Sequence, residues 1–95
     1  MDHSFVLFVT LPVKPECFEE AKAAILGVLE QTRAEVGCLR FMVHEEDGKL
    51  FCYEHWKDKA AHERHRCQPY MAPVLDGFQK WLERRLDVTV MRFVA

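Results

Sequence analysis

An α+β fold with one small antiparallel sheet is predicted by three features of this 95-residue sequence. Segments of strand composition and segments of helical spacing follow one another as strand, helix, two strands, two helical pieces and strand. A two-residue Asp47-Gly48 signal joins the middle strands as a tight hairpin. Length is the third, because a chain this short buries only roughly 60 to 65% of its unfolded surface and supports a single core. The order is that of a ferredoxin-like split β-α-β arrangement with a four-stranded antiparallel sheet, and residues 1–95 are expected to form that one domain.

Residues 4–13 are rich in Val, Phe, Leu and Thr and close on Pro12 and Pro15, the pattern of a strand ending in a turn. From 16 to about 35, Phe18, Ala21, Ile25, Val28 and Leu29 recur at spacings of three and four, which predicts one helix with one apolar stripe, weakened slightly by Gly27. Gly37 breaks that pattern. "CLRFMVHEE" and "KLFCYEHW" then flank Asp47-Gly48, with Glu46 opposite Lys49. This register puts Leu39, Phe41 and Val43 on one face with Cys52, Glu54 and Trp56, and puts Cys38, Arg40, Met42, His44, Phe51, Tyr53 and His55 on the other. Both faces are substantially apolar, yet the chain has helix enough to cover one. A homodimer through the face bearing Met42, Phe51 and Tyr53 is therefore expected. Asp58 is a good N-cap for "KAAHERHRC". Pro69 interrupts before a second helical run with Val74, Leu75, Phe78, Trp81 and Leu82 on one stripe, and residues 86–94 read as the last strand.

Thirteen Lys and Arg against fifteen Asp and Glu give a formal charge of -2 with no block of one sign, so nucleic acid is not an expected partner. Cys17, Cys38, Cys52 and Cys67 form no C-x-x-C pair, which removes the usual zinc and thioredoxin-type spacings. The opening "MDHSFVLFVTLPV" lacks a positive n-region and a small-residue cleavage site, so it reads as a strand and not as a signal peptide. No apolar stretch approaches the ~20 residues of a membrane helix. A reducing cytoplasm and no membrane partner are expected.

Four side chains stand out in "YEHWKDKAAHERH". His62 and His65 are three apart on one helix and Cys67 is near, but zinc requires three or four ligands and no second cluster supplies them, so no metal is expected. His62, between Ala61 and Glu63, reads as a partly exposed helix residue that could also neighbour a pocket. His65 follows Ala61 by one turn on the inward side. A neutral imidazole there could accept a proton at ordinary pH, or it could be a core histidine satisfied by a backbone carbonyl; the residues alone leave both open. Glu54 and Trp56 project together from a strand that should be central. A carboxylate facing a core is costly unless hydrogen-bonded or facing a cavity, which points to a polar-lined pocket between sheet and helices, or else to an end-of-sheet carboxylate reaching a helix terminus or an Arg. Trp56 is equally readable as core.

In these residues the chain resembles the antibiotic biosynthesis monooxygenase domain, which includes quinol monooxygenases. The resemblance rests on "EVGCLRF", with Glu35, Gly37, Cys38, Leu39 and Phe41, then on "YEHWKD", and then on Ala61, His65, Pro69 and Tyr70 in order, with "VKPE" closing the first strand. It implies a dimeric α/β barrel in which two sheets pack face to face. It also implies a pocket between sheet and helices where electron-rich phenols or quinols meet oxygen without metal, flavin or any other cofactor. In that chemistry the substrate, once deprotonated, passes an electron to oxygen, and the protein supplies a base, hydrogen bonds and a dry cavity. By this resemblance His65 and Trp56 are the catalytic candidates, His65 as base or orienting hydrogen bond and Trp56 as pocket wall, and Phe41, Cys52, Glu54, His62 and Tyr70 are substrate-binding candidates. The members that act on polycyclic phenols carry Asn where Cys52 stands and Tyr where His62 stands. The haem-degrading branch needs Asn, Trp and an axial His near Phe8, His65 and Leu75, so haem is not expected.

Three functions are consistent with this reading. One is a cofactor-independent oxygenase for a small quinol, phenol or related aromatic. Another is an isomerase or lyase that uses His65 for proton transfer on a small polar substrate. The last is a non-catalytic dimeric module that holds an aromatic or lipid-like ligand.

Overall fold

The computed structural model describes residues 3–95; the first two residues of the opening stretch lie outside the described residues. Strands β1 (Phe5–Leu11), β2 (Cys38–Glu46), β3 (Lys49–Trp56) and β4 (Asp87–Met91) form one sheet in the order β2-β3-β1-β4, with every neighbouring pair antiparallel. Helices α1 (Phe18–Gly27) and α2 (Leu29–Arg33) link β1 to β2, and α3 (Lys59–Arg66) and α4 (Ala72–Trp81) link β3 to β4. This is the ferredoxin-like split β-α-β order expected above. Among the described residues no helix is long and apolar enough to cross a membrane.

The hairpin turns where the sequence places it. Asp47 and Gly48 both have positive φ, 51° and 73°, the backbone a two-residue turn of the primed type requires, and Glu46 pairs with Lys49. Phe41, Cys52, Glu54 and Trp56 accordingly face the helices and are buried. Leu39 does not join them. A β-bulge between Cys38 and Arg40 inserts one residue, so Cys38 pairs with Trp56 and packs on the core while Leu39 turns out, 56% exposed.

The single helix expected from 16 to about 35 is three pieces. A 3-10 turn at Pro15–Cys17 runs into α1, and α1 ends at Gly27, where Val28 leaves helical geometry with φ -107° and ψ 4°. Gly27 has the highest backbone freedom in the segment, and the break lets α2 turn toward the sheet. There Arg33 Nε donates to the Phe41 carbonyl at 3.0 Å, tying α2 to β2. Asp58 caps α3 as expected, its carboxylate accepting from the Ala61 amide at 2.8 Å. The first and last strands are shorter than the sequence suggests; Val13 instead forms an isolated bridge with Leu82.

The core lies between the sheet and the helices, built from Leu7, Val9, Leu11, Leu50 and Trp56 against Ala21, Ile25, Ala61, Val74 and Trp81. The other sheet face carries Phe8, 37% exposed and stacked on Phe51 at 5.8 Å, beside Tyr53, while Phe93, after β4, packs on His55.

Candidate functional site

Helices α1 to α4 do not close completely over the inner sheet face. A cavity of about 420 Å³ remains, lined mainly by Phe5, Leu7, Val9, Ile25, Phe41 and Val74, with Glu54, His62 and His65 as its polar edge. Its mouth lies between α3 and the edge strand β4, because the lining residues Glu63, Arg66, Val88 and Val90 are exposed there.

His65 reaches this cavity from the inward side of α3, one turn after Ala61, and is 4% exposed. Its Nδ1 lies 2.7 Å from the Oε2 of Glu35. A carboxylate is an acceptor, so Nδ1 carries the proton and donates it, which leaves Nε2 as the basic atom. The Tyr70 hydroxyl donates to the same Glu35 oxygen and lies 3.4 Å from Thr32 Oγ1. Burial, and then the bond to Glu35, push the Tyr70 phenol up to about 12, so it remains a donor.

Glu35 stands on the turn between α2 and β2, and a glycine brings that turn against α3. A Cβ on Gly37 would collide with the Cβ of Ala61, so the approach requires a residue without a side chain at 37 and a small one at 61. The Gly37 carbonyl accepts from the Lys57 amide at 2.8 Å, which fixes the turn to the end of β3.

Glu54 is 8% exposed and lines the cavity from β3. Its Oε1 accepts from the indole Nε1 of Trp56 at 3.0 Å. Burial raises the Glu54 carboxyl above the usual range, opposed by the Trp56 bond and by His65, so Glu54 holds its proton to higher pH than a free carboxyl. His62 Nε2 is 3.9 Å away, and burial lowers the His62 imidazole to about 4, which leaves it neutral near pH 7. Their contact is therefore not an ion pair at neutral pH.

Trp56 is fully buried and lies behind the cavity lining. Its ring sits 4.8 Å from that of His65 and 6.0 Å from that of His62, so it backs both imidazoles and holds Glu54. The wall expected of Trp56 is supplied by Phe5 and Phe41. Phe41, Cys52, Glu54, His62 and His65 thus share one cavity, while Trp56 and Tyr70 stand behind it. Burial pushes the Cys52 thiol up to about 12, so it meets the cavity as a neutral S–H. Among the described residues no group of three His, Cys, Asp or Glu side chains is placed to hold a metal ion.

Sequence reasoning did not pair Glu35 with His65. The signal was there in the small residues Gly37 and Ala61, whose combination marks a close approach of two segments. Thr32, 1% exposed and donating to the Val28 carbonyl at 2.8 Å, gave no signal in the pattern.

A family model described as antibiotic biosynthesis monooxygenase matches residues 4–75. An uncharacterized protein of Synechocystis, sll1783, is 29% identical over 94 residues, 96% of this chain; the chain spans 64% of that relative's length. Among solved structures, Rv0793 of Mycobacterium tuberculosis superposes with a TM-score of 0.90 at 22% identity over 97% of this chain and 96% of that one. PA3566 of Pseudomonas aeruginosa gives 0.90 at 24% identity over 100% and 98%. At such identities these two structures speak for the fold, whereas the family match covers most of the chain, including β1 to β3, α3 and the Glu35 turn. The chain belongs to the antibiotic biosynthesis monooxygenase family.

Proposed function

We propose that this protein is a cofactor-independent monooxygenase that oxidises a quinol, phenol or related electron-rich aromatic with molecular oxygen, in a reducing cytoplasm. The observation that carries the reading is the His65 imidazole at the edge of an apolar cavity with its Nδ1 held by Glu35. A substrate ring fits among Phe5, Leu7, Phe41 and Val74, and its hydroxyl meets the polar edge.

The chemistry follows from that placement. The hydroxyl proton moves to His65 Nε2, and the electron-rich anion passes one electron to oxygen. The two radicals combine into a carbon-bound peroxide. The peroxide takes a proton, its carbon gives one up, and the O–O bond breaks to leave a carbonyl and water. The apolar lining keeps solvent from quenching the anion. Glu54, whose carboxyl burial shifts toward the protonated form, and His62, neutral near pH 7, offer hydrogen bonds to the substrate oxygens.

The protein acts as a homodimer in this reading, with the face bearing Met42, Phe51 and Tyr53 against a second copy. Two features of that face support it: the Phe8–Phe51 stack, and a His55 Nε2 that is buried without a hydrogen-bond partner.

Oxygen uptake with a panel of quinols and polycyclic phenols tests the activity. Uptake matched by formation of the oxidised product is expected. Binding without uptake would favour a ligand-holding module, and exchange of a substrate proton with solvent without uptake would favour an isomerase or lyase.

A further inference from the structure

We propose that Glu35 is the proton port of the site, carrying protons between the His65 imidazole and water in a second, outer hollow. The base thereby exchanges protons with water by a route separate from the mouth of the substrate cavity. This rests on the reading of His65 as the base. His65 lines the inner cavity, whereas Glu35 does not; it lines a separate hollow of about 290 Å³ with Ala34, Val36, Gly37, Arg64 and Gln68. Ala34, Val36 and Arg64 are exposed, so that hollow is open to solvent. The His65–Glu35 hydrogen bond, 2.7 Å long, is therefore a bridge between the substrate cavity and the outer hollow.

The groups around the bridge leave Glu35 as the carrier. It is faced by Tyr70 from the turn after α3, by Arg64 across the hollow and by Cys38 on β2. Tyr70 and Cys38 are held protonated, both pushed up first by burial, and an arginine does not give up its proton. His65 in turn is faced by Glu54 from β3, His62 from its own helix, and the rings of Trp56, Phe41 and Tyr70. Among these only Glu35 touches both His65 and the hollow.

A proton arriving at Nε2 makes an imidazolium, whose Nδ1 proton passes to Glu35 Oε2 and from there to water. Reverse flow recharges Nδ1 while Nε2 returns its proton to the peroxide, so the ring ends as it began. Tyr70, donating to Glu35, positions the carboxylate through this traffic.

The test needs no substrate. In ¹⁵N-labelled protein, the exchange of the His65 Nδ1 proton with water is measured by NMR at neutral pH, with and without sodium formate. Native exchange should not respond to formate. Glu35→Ala should slow it by about a hundredfold or more, the scale of general acid–base assistance, and formate entering the vacated hollow should restore it in proportion to its concentration. Glu35→Gln keeps a carbonyl that can hold Nδ1–H but cannot carry a proton, so exchange should slow there as well, without rescue. If Glu35 only positions the ring, Glu35→Gln will exchange at the native rate, and that result overturns the proposal. Loss of spectral dispersion in Glu35→Ala would leave Glu35→Gln to decide by the same criterion. A protein that oxidises no quinol would overturn the oxygenase reading and leave this measurement standing.

Discussion

His65 and Glu35 meet across 2.7 Å although thirty positions separate them in the chain. Two small residues make the meeting possible. Gly37 lets the turn carrying Glu35 lie against Ala61, one turn before His65 on α3.

Gly37→Ala should therefore disturb the site more than its size suggests. The new methyl collides with Ala61, and in a packed core such crowding costs typically 1 to 3 kcal/mol. The expected outcome is a lower thermal midpoint, together with a changed His65 imidazole resonance as the Glu35 bond lengthens. A variant with native midpoint and native His65 resonance would show that the approach is not tight.

The acid side of the stability profile should carry the mark of His62. Its folded-state value is lowered to about 4 from an ordinary 6.5, chiefly by burial, so the unfolded chain binds the extra proton first. Stability is then full above about pH 6.5 and is lost as pH falls toward 4, a contribution on the order of 1 to 2 kcal/mol after solvent screening. His62→Asn should flatten that part of the curve in denaturant titrations at several pH values. An unchanged slope would place the lost stability elsewhere.

Much of this fold is legible in the sequence because its signals are local. The Asp47-Gly48 turn, the Asp58 cap and the period-two burial of Cys52, Glu54 and Trp56 each depend on a few adjacent residues. The bulge at Cys38 and Arg40 is not legible in the same way, since it is decided by pairing with β3, and a slip of one residue there exchanged the faces of Cys38 and Leu39. The cavity was half legible. A glutamate directed inward at 54 pointed to a polar-edged pocket, which it lines together with His65, but the depth of Trp56 depends on how helices pack above it. The Glu35 partner depends on contact between distant segments, which periodicity does not report.

The sheet face bearing Met42, Phe51 and Tyr53 should be closed by a second copy of the chain. Light scattering at micromolar concentration is expected to give twice the chain mass, and Tyr53→Glu, which sets a charge beside Phe8 and Met42, is expected to give a monomer or an unfolded chain. A native protein of monomer mass would remove the basis for this arrangement.

The most direct test of His65 as the base is oxygen uptake by native protein, His65→Ala and His62→Ala with a quinol that the native protein oxidises, normalised to the folded fraction from thermal melts. Loss of a general base is typically worth roughly a hundred- to ten-thousand-fold in rate. The expected result is a fall of that size for His65→Ala and a much smaller one for His62→Ala, whose neutral imidazole only offers a hydrogen bond. If His65→Ala oxidises the quinol at the native rate per folded molecule, even while melting earlier, His65 is a core histidine held by Glu35 and the assignment of the base is wrong.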